Sequence, residues 1–200
     1  MRFSIIVPAY NAEGTIRKAL NSIRSQTFKD YELIVVCDNC TDNTHAIAEA
    51  YTDKVYDVSN GCDGPTRNTG LEKAQGEYVL FMDDDDWWLH EYVLWQLDEK
   101  LKATGNPDVL CFSFIFKGLK YATPTNNYGI NDNRWYAVWS KCWKREFIGN
   151  SRFSNVRMTS DVDFHNSVFA RHPRVVDWDM PMYYYDYLRK GSQTEIDRRK

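Results

Sequence analysis

Four aspartates in a row, Asp83 to Asp86, directly follow a short apolar run at residues 78–82. Carboxylates held a few ångströms apart repel one another, and each raises the pKa of its neighbours. A divalent cation bound among them removes that repulsion, and oxygen ligands of this kind suit Mg²⁺ or Mn²⁺. Since Mg²⁺ in proteins is typically held by one or two carboxylates plus substrate phosphates, the segment predicts a metal site that works with a diphosphate. The alternative is an acidic, solvated turn that caps the next helix.

Two more polar residues stand where they can contact a nucleotide. Asp38 closes another apolar run, residues 31–37, and its carboxylate can accept a hydrogen bond from the N–H of a uracil or guanine edge. Its alternative role is to cap the following helix. Arg67 begins or precedes a helical segment, where it can neutralise a pyrophosphate. It can equally form a structural salt bridge with an aspartate.

The first hundred residues alternate between strand and helix patterns. Short apolar runs predict buried strands, and apolar residues at helical spacing predict the helices between them. The predicted strands are 3–7, 31–37, 54–58 and 78–82, and the helices are 12–24, 41–50, 66–74 and one through Tyr92 and Leu101. Thr41 is the predicted cap of the second helix and Gly76 the end of the third. This alternation predicts a parallel sheet covered by helices on both faces.

In such sheets, ligands bind beyond the carboxyl ends of the strands. Tyr10, Asp38 and the four aspartates all follow predicted strands, so we expect them to meet on one rim and form one site. After Pro107 the pattern changes. It predicts a strand at 109–116, a loop at 121–134, helices at 135–147 and 161–170, and short strands at 175–176 and 183–185. We therefore expect a single domain over 1–200, with a nucleotide-binding half (1–106) and a more variable half (107–200).

Three segments together resemble the family 2 glycosyltransferases of GT-A fold. They are SIIVPAYN (4–11), SIRSQTFKDYELIVVCDNCTDNT (22–44) and RNTGLEKAQGEYVLFMDDDD (67–86). The resemblance implies an α/β, Rossmann-like, mostly parallel sheet flanked by helices, with a smaller acceptor-side region in the second half. It also implies an inverting enzyme that uses a nucleoside-diphosphate sugar. UDP is favoured through Asp38, with GDP and dTDP left open.

The same resemblance implies roles for individual residues. It makes Asp85 the main ligand of a divalent metal, Mn²⁺ or Mg²⁺, and puts Asp83 and Asp84 near the ribose and diphosphate. Pro8 and Tyr10 would lie beside the base. The implied site residues in the nucleotide half are thus Pro8, Tyr10, Asp38, Arg67, Asp83, Asp84 and Asp85.

The second half resembles the family more loosely. Residues 137–147 are similar to its acceptor-side helix, and residues 152–164 to a segment whose acidic pair supplies the catalytic base. Asp161 aligns with the second member of that pair, whereas Ser160 stands where the first is commonly acidic. Asp161 is therefore the implied general base, with Asp163 as the alternative. A glycan, a lipid-linked sugar or a protein is left open as the acceptor.

Composition excludes several other classes. With 25 basic and 28 acidic residues the net charge is −3, which argues against a nucleic-acid binder. No run approaches the roughly 20 apolar residues of a membrane span, and residues 3–7 are too short for an export signal. Five scattered cysteines are typical of reduced thiols, so we expect a cytoplasmic protein without an integral membrane segment. Peripheral membrane association and homo-oligomer formation are left open.

Two competing interpretations deserve comparison with the enzyme. Cys37-x-x-Cys40 has the spacing of a redox or zinc pair, but a structural zinc needs four ligands. In sequence only Cys62 is near, and His45 is a distant fourth, which disfavours that site. The other is a sugar-nucleotide or glycan-binding module of the same fold that has lost turnover, which Ser160 favours. A nicotinamide enzyme is disfavoured because the chain lacks G-x-G-x-x-G.

Overall fold

The structure is a computed structural model that describes residues 1–116, 136–156 and 159–186. The predicted loop at 121–134 lies outside these residues, as does Trp135 at the start of a predicted helix. No helix among the described residues is both long enough and apolar enough to cross a membrane.

The first half alternates strand and helix as the sequence predicts. Its elements, in chain order, are β1 (Phe3–Ala9), α1 (Ile16–Arg24), β2 (Tyr31–Asp38), α2 (Thr44–Glu49), β3 (Val55–Val58), α3 (Asp63–Lys73) and β4 (Tyr78–Phe81). Every residue of β1 and β4 is buried, which explains why these strands are apolar without alternation. In α1 the buried residues Ile16, Ala19, Leu20 and Ile23 form the stripe that faces the sheet.

The second half departs from the predicted pattern. After β5 (Trp87–Trp88) and α4 (Val93–Ala103), which complete the first half, its elements are β6 (Val109–Phe116), a 3₁₀ turn (Val138–Ser140), β7 (Lys141–Lys144), α5 (Arg145–Ile148), α6 (Ser160–Phe169) and β8 (Val175–Tyr185). The predicted helix at 135–147 is wrong, because its middle is strand β7. Cys142 and Trp143 are both fully buried, and β7 pairs with β4 on one side and β6 on the other. These partners are distant in sequence, so local periodicity could not reveal them.

In the described part of the chain, eight strands form one sheet in the order β3-β2-β1-β4-β7-β6-β8-β5. The pairs β2/β3, β1/β2, β1/β4 and β6/β8 are parallel, and β4/β7, β6/β7 and β5/β8 are antiparallel. The predicted fold class, a mostly parallel α/β sheet with flanking helices, is confirmed. Because β1, β2 and β4 run in the same direction, their carboxyl ends lie along one rim of the sheet.

Three smaller predictions need correction. Helix α2 begins at Thr44, not at Thr41, because the Asp42 carboxylate accepts hydrogen bonds from the Thr44 N–H (3.0 Å) and hydroxyl (2.5 Å). Helix α3 ends at Lys73, three residues before Gly76. Gly76 is instead packed against β1, where a Cβ would lie 2.5 Å from the Phe3 carbonyl carbon.

The two short strands predicted near the end are one continuous strand. Strand β8 pairs with β6 along its length, with irregular register around Ser113. Near the end of β8, Tyr183 and Tyr184 also pair with Trp88 and Trp87 of β5. Strand β8 therefore carries the end of the described chain to the residues that directly follow the four aspartates.

Candidate active site

The four aspartates form a turn at the carboxyl end of β4. The Asp86 N–H donates to the Asp83 carbonyl at 3.3 Å, and Asp84 Oδ2 accepts the backbone N–H of Tyr10 at 3.1 Å. Asp83, Asp84 and Asp85 are half-buried, so their carboxylates reach solvent at the rim. The predicted convergence of the ends of β1 and β4 is therefore present.

Asp86 differs from the other three because it is fully buried. Its Oδ2 accepts the Tyr183 hydroxyl at 2.7 Å, and its Oδ1 accepts the Asp186 N–H at 2.8 Å. The Tyr183 oxygen in turn accepts the Asp83 N–H at 3.1 Å. Burial, together with the charges of Asp83 and Asp85, raises the pKa of Asp86 well above its usual value. Asp86 thus anchors the turn, leaving the other aspartates to face the site.

Arg67 lies at the centre of the site, with its side chain only 6% exposed. Its Nη2 donates to Asp83 Oδ1 at 2.8 Å, and its Nη1 contacts Asp63 Oδ2 and lies 3.4 Å from Asp161 Oδ1. Burial alone would lower the pKa of Arg67, but the three carboxylates outweigh it and raise that pKa. One cation thus joins carboxylates from α3, the aspartate turn and α6.

Asp161 occupies the first turn of α6 and points toward Arg67. Its Oδ2 lies 3.4 Å from the Val138 N–H, a long hydrogen bond, and its Oδ1 accepts none from the described residues. Burial raises the pKa of Asp161 to about 6; Arg67 acts against this shift, while Asp83 and Asp63 add to it. A carboxylate with a pKa near neutrality that retains a free lone pair is suited to accept a proton. Asp163, the alternative base, is exposed and accepts the Ser154 hydroxyl at 2.5 Å, away from this cluster.

Asp63 is a member of the cluster that sequence analysis missed. The Ser160 hydroxyl donates to Asp63 Oδ2 at 3.3 Å, so a carboxylate from α3 faces the serine that replaces the expected acid. The helices approach closely here, since a Cβ on Gly64 would lie 2.9 Å from Ser160 Cβ. Arg67 outweighs the effect of burial and lowers the pKa of Asp63, which is therefore ionised at neutral pH.

Asp38 is buried at the end of β2 and holds the loop that precedes α3. Its carboxylate accepts the backbone N–H groups of Asn60 (2.8 Å), Gly61 (3.0 Å) and Cys62 (3.1 Å), and the Asn39 side-chain amide (2.9 Å). The Thr66 hydroxyl lies 2.9 Å away. Asp38 therefore does not cap α2, the alternative considered above, and its contact with a base stays a prediction.

Pro8 and Tyr10 differ in exposure. Pro8 is buried within β1, whereas the Tyr10 side chain is exposed at the rim beside Asp84. Asn11, which follows, adopts φ 46° and accepts the Thr41 N–H at 2.8 Å, so it ties the end of β1 to the loop after β2. Tyr10 is thus accessible to a ligand, while Pro8 shapes the strand end.

A family model described as Glycosyl transferase family 2 matches residues 4–173, most of the chain. The chain belongs to this family. The matched span includes the aspartate turn, the Arg67 cluster and Asp161.

The curated relatives that this family 2 chain matches are longer than the chain. Glycosyltransferase GlyA of Streptococcus pneumoniae is 27% identical over 98% of the chain but only 32% of its own length. The poly(ribitol-phosphate) β-N-acetylglucosaminyltransferase TarS of Staphylococcus aureus is 42% identical over 44% of the chain and 17% of its own length. The chain thus spans about a third or less of these curated relatives.

Solved structures confirm the fold. TarS residues 1–349 in complex with UDP-GlcNAc superpose with a TM-score of 0.84 and 27% identity, covering 98% of the chain and 61% of that structure. The mannosyltransferase PcManGT of Pyrobaculum calidifontis, in complex with GDP-Man and Mn²⁺, gives a TM-score of 0.74 at 19% identity, covering 99% of the chain and 60% of that structure. The latter likeness concerns the fold alone.

The aspartate turn of this family 2 chain has the right donors for a hard divalent cation. Asp83, Asp84 and Asp85 are half-buried at the rim, and Arg67 pairs with Asp83. Within the described ranges, however, these aspartates do not bring three ligand atoms together into one cluster. The residues therefore fit a cation that one or two carboxylates hold and phosphate oxygens complete.

Proposed function

We propose that the chain is a metal-dependent, inverting glycosyltransferase that moves a sugar from a nucleoside-diphosphate sugar to an acceptor hydroxyl. The observation that carries this proposal is the bridge through Arg67, which joins Asp161 to Asp83 in the aspartate turn. A candidate base and the candidate donor site thus share one buried guanidinium. The solved complexes of TarS with UDP and with UDP-GlcNAc support UDP as the nucleotide.

The donor would lie along the rim formed by the ends of β1, β2 and β4. Tyr10 and Pro8 would border the base, and Asp38 would contact it or fix the loop 60–62 beside it. Asp83 and Asp84 would approach the ribose and diphosphate. Asp85 would hold Mn²⁺ or Mg²⁺, whose positive charge would stabilise the departing nucleoside diphosphate.

In the reaction, the acceptor oxygen bonds to the anomeric carbon as the bond from that carbon to the diphosphate oxygen breaks. The acceptor proton passes to Asp161, and the electron pair of the broken bond leaves with the nucleoside diphosphate. Attack on the face opposite the leaving group inverts the anomeric centre. Arg67 would hold Asp161 on this rim without protonating it, because the neighbouring carboxylates raise the pKa of the guanidinium, which therefore keeps its protons.

A second function is supported by one observation, the presence of Ser160 in place of an acid. A binding module of the same fold would retain donor affinity but lack turnover. Asp63 weakens this alternative, because its carboxylate lies 3.3 Å from the Ser160 hydroxyl and keeps the position acidic. Absence of transfer by the wild-type chain with every nucleotide sugar that binds would favour the module.

Nucleotide and metal should stabilise the protein together. A ligand at 100 times its dissociation constant adds about 2.7 kcal/mol to the free energy of unfolding. For a chain of this size we expect the melting temperature to rise by roughly 5–10 °C with UDP and Mn²⁺. Thermal unfolding with UDP, GDP or dTDP, each with and without Mn²⁺, measures this and identifies the base. The metal-dependent part should disappear in Asp85→Ala, and no shift with any nucleotide plus metal would refute the donor site.

Transfer should decline on the acid side of neutrality. The pKa of Asp161 is raised from 3.8 to about 6, so the carboxylate is ionised, and able to accept a proton, only above that value. We expect kcat/KM to fall about tenfold for each pH unit below this limb. The positive charge of a bound cation lowers the pKa of Asp161 and so moves this acid limb to lower pH. The assignment is therefore tested by comparing the limb of the wild type with that of a variant.

Asp63→Asn provides that comparison. It removes one like charge and leaves Arg67 to pair more closely with Asp161, and both changes lower the pKa of Asp161. The acid limb should therefore move to lower pH in this variant. Identical limbs for wild type and variant, measured at the same saturating Mn²⁺, would contradict the assignment.

A further inference from the structure

A second group of metal-ligating side chains lies on the opposite face of β2 from Asp38. Cys37 is buried at the end of β2 and pairs in register with Asp57 of β3. His45, near the start of α2, lies above them, and its Nδ1 is 2.7 Å from Asp57 Oδ1. The ligand atoms of Cys37, His45 and Asp57 all lie within 4.8 Å of one another. Folding has thus brought together residues that are up to 20 positions apart in sequence.

A fourth donor stands beside this group. Cys40 is half-buried and follows Cys37 by three positions, a spacing common to two thiol ligands of one Zn²⁺. Cys40 Sγ also lies 3.4 Å from the carbonyl oxygen of Ala9, so the loop after β2 is held against the end of β1. The sequence disfavoured a zinc site because its further candidates were Cys62 and a distant His45, whereas the structure brings His45 beside Cys37 and adds the Asp57 carboxylate. We propose a Zn²⁺ site at this edge of the sheet, with four ligand side chains: Cys37, Cys40, His45 and Asp57.

The donor set selects the metal. Two thiolates and an imidazole are soft or borderline ligands, which favour Zn²⁺ over the Mg²⁺ or Mn²⁺ suited to an all-carboxylate site. In tetrahedral Zn²⁺ sites the ligand atoms are about 3.3–3.8 Å apart, given bonds of about 2.0–2.3 Å. The ligand atoms of Cys37, His45 and Asp57 lie within 4.8 Å of one another, so each pair would shift by about 1 Å or less to reach this spacing. Binding would release the two thiol protons to solvent and replace the contact between His45 and Asp57 with bonds to the metal.

Outer contacts already suit a metal-bound histidine. His45 Nε2 lies 3.3 Å from Glu49 Oε1, one helical turn along α2. Metal-ligating histidines usually donate their second ring N–H to a carboxylate, which fixes the orientation of the ring. The side chains of His45 and Asp57 are 34% and 67% exposed, so an ion can enter from solvent. Successive strand residues face opposite sides of a sheet, which separates this site from the loop that Asp38 holds.

Cobalt titration of the full chain tests the proposal. The protein is reduced, stripped of metal with a chelator and titrated with Co²⁺, whose charge-transfer absorption in the near ultraviolet reports thiolate ligands. We expect saturation at one Co²⁺ per chain and loss of the absorption when Zn²⁺ is added. The Cys37→Ser/Cys40→Ser double variant should lose the absorption, and Cys62→Ser, a matched thiol outside the group, should keep it.

Further variants keep the test decisive if the buried Cys37 cannot be replaced without unfolding. His45→Ala alters a half-exposed side chain and should weaken Co²⁺ binding, and Glu49→Gln should weaken it by about 10-fold. Asp85→Ala should retain the thiolate absorption, since that aspartate belongs to the other site. Absence of thiolate absorption in the wild type, its persistence in the double cysteine variant, or its loss in Asp85→Ala would each overturn the proposal.

Discussion

Replacing Asp161 with asparagine should lower the rate of sugar transfer by about 10²–10⁴-fold, the usual contribution of a general base. The amide has the shape of the carboxylate but cannot accept the acceptor proton. Nucleotide binding should be retained, because the aspartate turn and its anchor through Tyr183 and Asp86 are unchanged. The assay is release of nucleoside diphosphate from the donor and acceptor pair that the wild type uses, with thermal unfolding as the measure of binding.

Asp163→Asn is the matched control. Asp163 also lies in the first turn of α6, but it is exposed and accepts the Ser154 hydroxyl rather than facing Arg67. We expect its replacement to change the rate by only a few fold. If Asp163→Asn abolished transfer and Asp161→Asn did not, the base would be Asp163. If neither changed a measurable rate, a carboxylate on α6 would not be the base.

Replacing Arg67 with methionine should destabilise the protein by about 2–3 kcal/mol. Breaking a fully buried ion pair costs about 3–5 kcal/mol, and we expect less here because the partner carboxylates are partly hydrated. The side chains of Asp63, Asp83 and Asp161 are 45%, 27% and 25% exposed. Methionine fills similar volume but leaves these three negative charges without their shared cation. Urea unfolding followed by tryptophan fluorescence measures the change.

Two comparisons test whether charge is the cause. Arg17→Met replaces an exposed arginine on α1 and should change stability by less than about 0.5 kcal/mol. Adding Asp63→Asn to Arg67→Met removes one of the repelling charges and should recover part of the lost stability. A double variant less stable than Arg67→Met alone would contradict the electrostatic explanation and indicate lost packing instead.

The first half of the fold could be predicted because its information is local. Each of its strands is a short apolar run, and each helix has its own apolar stripe, so no distant partner was needed to recognise them. The second half was harder for the opposite reason. Trp135, Trp139 and Trp143 have helical spacing, yet Trp139 is buried against Tyr183 with ring centroids 4.6 Å apart, and Trp143 lies in a strand.

The candidate site shows the same division. Asp38, Arg67 and the four aspartates could be proposed because each stands next to a predicted strand end or helix start. Asp63 was missed because the predicted third helix began at residue 66, which left Asp63 in the preceding loop, whereas α3 begins at Asp63. Tyr183 was missed because it stands in a run of three tyrosines, residues 183–185, which predicts a strand rather than a site residue. Only packing against distant partners, Ser160 for one and Asp86 for the other, reveals their place in the site.

The anchoring of the aspartate turn by β8 has a consequence for how the protein is made. Tyr183 and Asp186 hold Asp83 and Asp86 across 100 positions of sequence. Contacts of such long range form late in folding, since the intervening chain must first be ordered. On the ribosome, the parallel strands β1 to β4 are synthesised long before β8 emerges. The nascent chain therefore carries its acidic turn unanchored until about 100 further residues have been synthesised, and the site matures only after β8 has emerged.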